Sequence, residues 1–128
     1  MKKIIETQRA PGAIGPYVQG VDLGSMVFTS GKFRFARRPV RSRLMRKIGA
    51  FKPRKRQSDR GRAGLSVGDI IKMTVFITDL NDFATINEVY KQFFDEHQAT
   101  YPTRSCVQVA RLPKDVKLEI EAIAVRSV

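Results

Sequence analysis

Ile70-Ile71-Lys72-Met73-Thr74-Val75-Phe76-Ile77 is followed by Asp79, Asn81 and Asp82, and then by Phe83, Ile86, Val89, Tyr90, Phe93 and Phe94 at three- to four-residue spacing. The first run is near-continuously apolar and reads as a central strand covered on both faces. The acids and amide after it supply N-cap acceptors, and the apolar stripe that follows is that of a helix packed on a sheet. Downstream, residues 105–110 and 116–125 read as two more strands, the second alternating Val116, Leu118, Ile120 and Ala122 with Lys117, Glu119 and Glu121. Upstream, residues 64–69 form a loop, and two β-rich runs, 17–21 and 26–31, flank a turn at Gly24-Ser25 as a hairpin. Hairpin, crossover, strand, helix and two strands predict one α+β domain over residues 1–128, with helices on one face of a mixed sheet. Apolar residues on both sides of the strands, with few helices to bury them, predict that other subunits close the second face around a cyclic axis.

The chain has 128 residues, one cysteine, one histidine and a net charge of +12. Cys106 can form no internal disulfide, and with His97 alone there is no metal-ligand cluster to propose. No apolar run approaches the ~18 residues that would cross a bilayer. The start, Met1-Lys2-Lys3-Ile4-Ile5-Glu6, meets charge before any long apolar region, so a cytoplasmic protein is expected. The charge is concentrated: residues 32–62 hold fourteen Lys/Arg and one acid, Asp59, whereas the rest of the chain is nearly balanced.

Pro102-Thr103-Arg104-Ser105-Cys106-Val107-Gln108-Val109-Ala110-Arg111-Leu112, followed after five residues by Leu118-Glu119-Ile120, matches position for position the C-terminal signature of the Rid (YjgF-type) family. The resemblance extends to Ala10-Pro11-Gly12-Ala13-Ile14-Gly15-Pro16-Tyr17, to Thr29-Ser30-Gly31, and from Gly64-Leu65-Ser66 through the Phe83 helix, about three quarters of the chain. It implies a chorismate-mutase-like homotrimer with clefts between subunits. The implied reaction is cofactor-independent hydrolysis of reactive 2-enamine or 2-imine acids, such as 2-aminoacrylate and its imine tautomer, to 2-keto acids and ammonia. The imine is already electrophilic, so the protein needs only to hold the carboxylate, place a water and shuttle a proton.

On the residues themselves, Arg104 stands before a strand, where a planar guanidinium suits a carboxylate through paired charge-assisted hydrogen bonds; its bland alternative is a surface ion pair. Glu119 lies on the strand face opposite Leu118 and Ile120, and a partly desolvated carboxylate there can hold water and relay a proton. Glu121, two positions along the same face, is the ordinary exposed carboxylate against which it is judged. The resemblance selects Glu119 as the residue that positions the attacking water. Cys106, two residues past Arg104, leaves the same side of the strand; the resemblance implies that this position contacts substrate mainly through its backbone, and with no activating base identifiable it is assigned to binding and not to covalent catalysis, the alternative being a small buried side chain. Tyr17, Ser30, Gly31 and Asn87 complete the pocket that the resemblance implies. Taken alone, Tyr17, Gly31 and Asn87 would be a packed tyrosine, a turn glycine and a solvated helix asparagine.

Residues 32–62 depart from the family pattern, which continues after Gly31 with an Ile-Pro-rich loop and an amphipathic helix. Arg37-Arg38-Pro39 and Arg54-Lys55-Arg56 stand there instead, interleaved with Phe33, Phe35 and Phe51. A nucleic-acid partner is one reading, with salt-dependent phosphate contacts. A shifted reading frame is the preferred one. Codons exist for Phe33 to Val40 that, read one nucleotide earlier, encode Ile-Pro-Val-Cys-Pro-Gln-Thr-Gly, the missing loop. Codons for Phe51 to Arg62, read one nucleotide later, encode Leu-Ser-Leu-Glu-Asn-Val-Lys-Ala-Ile-Val-Val, the missing helix. The hypothesis that this aberrant first helix region is out-of-frame translation is tested by resequencing codons 32 to 62; a confirmed frame would reject a sequence error. If the basic chain is real, the loss of a core-facing helix should destabilise the domain by several kcal/mol.

The sequence therefore predicts an enamine/imine deaminase with a small carboxylate substrate. The other two readings are a 2-keto acid sensor without turnover and a basic RNA-binding or RNA-cleaving protein.

Overall fold

A computed structural model describes residues 2–6, 8, 12–31 and 65–126. The basic segment, and with it the expectations of a shifted frame and a missing helix, lies outside the described residues. Among the described residues, six strands and one α-helix occur in the order β1 (Lys3–Ile5), β2 (Gly20–Asp22), β3 (Met26–Thr29), β4 (Ile70–Ile77), α1 (Phe83–Glu96), β5 (Thr103–Gln108) and β6 (Leu118–Val125). They make one mixed sheet ordered β1-β2-β3-β6-β4-β5. Only β4 and β5 run parallel, as their joining through a helical crossover requires.

The β2–β3 turn forms because Gly24 takes a φ of +92°, a conformation costly for any residue with a Cβ, and because its N–H donates to Asp22 Oδ1 at 2.8 Å. Arg126 then clamps this turn to the end of β6, donating to both Asp22 carboxylate oxygens at 2.8 and 2.7 Å and to the Gly24 carbonyl at 2.7 Å. Ahead of α1, Asp79 accepts from the Asn81 N–H at 2.9 Å and caps a 3-10 turn, Leu80–Asp82, that feeds directly into the helix. Of the three predicted cap residues, Asp79 is the one whose side chain is seen capping a backbone N–H.

Period-2 and period-3.6 apolar positions meet in the core. Met73, Val75 and Ile77 of β4 and Leu118, Ile120, Ala122 and Ala124 of β6 face Ile86, Val89, Tyr90, Phe93 and Phe94 of α1. Phe93 and Phe94 are essentially fully buried, and each contributes roughly 2–3 kcal/mol from apolar burial. The opposite sheet face is less covered within the chain. Thr74 and Phe76 are half-buried, and Phe28 and Val107 are exposed. A smaller cluster of Leu112 and Val116 packs on Phe76 from that side. Among the described residues the cover of β4 is thus full on the α1 face and partial on the other.

Element limits differ from the sequence expectation at both ends of the chain: β3 stops at Thr29, two residues before the expected end of its run, and β5 stops at Gln108, two before its expected end. Strand β5 starts at Thr103, so Arg104 lies within it rather than before it, and β6 starts at Leu118, because Val116 turns away into the smaller cluster. Residues 17–19 are not strand, and the three-residue β1 extends the hairpin antiparallel to β2. No helix among the described residues is long and apolar enough to cross a membrane.

Candidate active site

Strand β5 ends the sheet, and its register places Arg104 opposite Met73 and Cys106 opposite Val75. Paired residues point to the same side of a sheet, so Arg104 and Cys106 both face α1. The guanidinium carbon of Arg104 sits 4.9 Å from the ring centre of Tyr90 and 5.6 Å from that of Phe83. Among the described residues no acid pairs with Arg104; the ion pairs there join Lys91 to Asp95, Arg111 to Asp115 and Arg126 to Asp22. The guanidinium borders an open groove of about 410 Å³, walled by Asn87, Tyr90 and Lys91 of α1 and by Tyr101 and Pro102 before β5. Lys91 is occupied, since its ammonium and the Tyr101 hydroxyl, at 2.6 Å, both donate to Asp95.

Burial sets the protonation of two neighbours. It pushes the Tyr90 hydroxyl up to about 12, with the Arg104 charge pulling the other way, and it raises the Cys106 thiol against the same opposing charge. A thiol so placed, half-buried against the main core, is protonated at neutral pH and poorly suited to nucleophilic attack.

Glu119 occupies the other side of the sheet. On β6 it pairs with Phe76 of β4, while its neighbours Leu118 and Ile120 are buried under α1. It is half-buried where Glu121 is exposed. Gly31 lies hard against it, for a Cβ built on Gly31 would overlap the Glu119 carboxylate and stand 2.7 Å from Cδ. Ser30, the residue before, donates its hydroxyl to the Val18 carbonyl at 2.5 Å and its N–H to the Gln19 carbonyl at 3.0 Å, fixing the chain that carries Gly31. Tyr17 is 42% exposed, accepts the Ile14 N–H at 3.3 Å, and lines a separate groove of about 310 Å³ with Glu6, Gln8 and Gln19.

Six of the seven predicted residues therefore fall into two groups, with Tyr17 apart from both in its own groove. Arg104, Asn87 and Cys106 lie on the helix-covered face, and Gly31 and Glu119 lie against the opposite one, with Ser30 beside them. Strand β4 separates β5 from β6, and Arg104 and Glu119 pair with positions three residues apart on it, which puts their backbones about 9–10 Å apart across the sheet and about 10 Å apart along it before their opposite directions are counted. Tyr90, Phe83 and Tyr101 were read from sequence as core stripe or not at all. Their place at the groove depends on the α1–β5 contact, for which periodicity carries no signal.

The family model described as Endoribonuclease L-PSP matches residues 61–126, beginning at the end of the basic segment. TdcF of Escherichia coli K12 is 75% identical over 133 aligned positions, spanning 99% of each chain. The crystal structure of E. coli TdcF with bound serine superposes with a TM-score of 0.80 at 73% identity, covering 98% of this chain and 99% of that one. This chain belongs to the Rid (YjgF-type) family of reactive-intermediate deaminases. Within the Rid family, the 2-iminobutanoate/2-iminopropanoate deaminase of Salmonella typhimurium LT2 is 58% identical over 132 positions, spanning 98% of this chain and 99% of that protein. The crystal structure of the E. coli YjgF gene product, at 53% identity, covers 98% of this chain and 99% of its own with a TM-score of 0.82. The mixed sheet with α1 on one face is the Rid fold. The alternative of an RNA partner, less favoured than the shifted frame, rested on residues 32–62, outside the described residues.

Proposed function

We propose that the protein hydrolyses short 2-enamine and 2-imine acids to 2-keto acids and ammonia, without a cofactor, in clefts between the subunits of a homotrimer. The observation that carries this is Arg104: a guanidinium on an open groove, held by two rings and paired with no acid among the described residues. Its in-plane N–H groups suit a ligand carboxylate through two parallel charge-assisted hydrogen bonds. Asn87 and the backbone beside Cys106 line the same side.

The reaction needs a second group. Glu119, beside Gly31, accepts a hydrogen bond from water and takes its proton as the oxygen attacks the imine carbon. The C=N π bond becomes a nitrogen lone pair, which takes that proton back from Glu119 and gives a geminal amino alcohol. Glu119 then carries the hydroxyl proton to nitrogen as the carbonyl forms and the C–N bond breaks with its electrons on ammonia, so one imine and one water give one keto acid and one ammonia. Because the sheet parts Arg104 from Glu119 within a chain, the two act together across an interface, Arg104 from one copy and Gly31 with Glu119 from the next. Val21, Phe28, Phe76, Val107 and Ile123 on the open face support such an assembly, since apolar surface of this kind is normally covered.

Arg104→Ala tests the reading. Affinity for 2-oxobutanoate and the rate of ammonia release from a dehydratase-generated imine should both fall, the first by about 10- to 100-fold. Unchanged values would overturn it. Saturable keto-acid binding by the unmodified protein with no acceleration of ammonia release would point to a sensor instead.

A further inference from the structure

A carboxylate anchor has to be both fixed and free. An arginine tied by a protein acid is fixed, but its charge and N–H donors are already taken, whereas an arginine in open water is free but mobile. We propose that Tyr90 and Phe83 are positioning residues that hold the Arg104 guanidinium by its faces, leaving its in-plane donors open for the ligand. The inference rests on the reading of Arg104 as the carboxylate anchor.

Both ring centres lie within the ~6 Å over which a guanidinium is attracted to an aromatic face. The Tyr90 ring is itself immobile. It is only 6% exposed and packs at a 45° tilt on Phe94, ring centres 4.8 Å apart, which in turn meets Phe93 edge-on at 5.6 Å, so the guanidinium rests on a chain of rings rooted in the core. Phe83 stands at the first turn of the same helix, 38% exposed. The Tyr90 hydroxyl is buried and makes no hydrogen bond, which leaves the ring face as the part of the residue turned to use. Since holding the anchor acts on ground state and transition state alike, its loss should appear in KM and not in kcat.

The test is a set of variants in the full-length protein, assayed for ammonia release and for 2-oxobutanoate affinity. Tyr90→Leu should raise KM by about 3- to 30-fold and Phe83→Leu by about threefold, with kcat within about twofold of the original. Tyr90→Phe should rescue KM to within about twofold. In an Arg104→Ala background, neither ring replacement should change KM further. Phe83 is half-exposed, so its variant keeps the test decisive even if Tyr90→Leu does not fold. The inference is overturned if folded Phe83→Leu and Tyr90→Leu proteins keep the original KM and affinity while Arg104→Ala loses them. It is overturned equally if Tyr90→Phe is as impaired as Tyr90→Leu, which would assign the effect to the hydroxyl. Failure of Arg104→Ala itself to weaken binding would instead remove the underlying functional reading.

Discussion

Gly31 and Glu119 are in such close approach that the glycine's missing side chain is the space in which the carboxylate sits. A methyl group at residue 31 cannot share that space, and the backbone on the Ser30 side is tied to Val18 and Gln19, so the carboxylate must move. Gly31→Ala should lower kcat/KM by about 100-fold while the protein stays folded by circular dichroism. Retention of more than half the activity would show that the position of Glu119 is unimportant.

Glu119 and Glu121 share a strand face but not an environment, one half-buried beside Gly31 and the other exposed. Replacing a proton-relaying carboxylate by its amide keeps shape and removes basicity. Glu119→Gln should lower kcat roughly 100-fold with KM within about threefold, and Glu121→Gln should leave both within about twofold. Equal effects from the two substitutions would contradict the role given to Glu119.

The sheet that parts Arg104 from Glu119 makes mixed assemblies informative. Arg104→Ala and Glu119→Gln subunits, each nearly inactive alone, should regain about one quarter of the original activity when refolded together in equal amounts, the share of interfaces in a random cyclic trimer that join an intact Arg104 to an intact Glu119. A site built within one chain predicts no recovery.

Tyr90 gives the protein an alkaline sensitivity. Its hydroxyl is raised to about 12 by burial, so between about pH 10 and 12 the folded protein keeps a proton that the unfolded chain has released. Stability therefore falls as pH rises through that window, by about 2 kcal/mol from this residue. Tyr90→Phe should lack this contribution, and, having no unpaired buried hydroxyl, should gain about 1 kcal/mol at neutral pH. Urea unfolding at pH 8, 10 and 11 checks both; parallel curves for the two proteins would refute the assignment.

The helix and the strand before it were legible because each has a periodic apolar pattern: Ile86, Val89, Tyr90 and Phe93 on one, Met73, Val75 and Ile77 on the other. The two-residue period also put Arg104 with Cys106, and Glu119 away from Leu118. What periodicity does not carry is strand register. Pairing of Met73 with Arg104 and of Phe76 with Glu119 puts the two key side chains on opposite faces, and that relation depends on long-range pairing. Tyr90 was hidden for a related reason. A residue that serves the core with one side of its ring and the groove with the other has the sequence signature of core alone. Strand β1 has only three residues, too few to show alternation.

Strand β5 is hydrogen-bonded on one side only, and along its outer rim the backbone donors and acceptors of Thr103–Gln108 have no strand beside them among the described residues. A rim of that kind is a template for strand addition, the step from which fibrous precipitates grow. Charge placed on the outward positions of this rim should therefore slow precipitation at equal protein concentration, with turbidity as the measure.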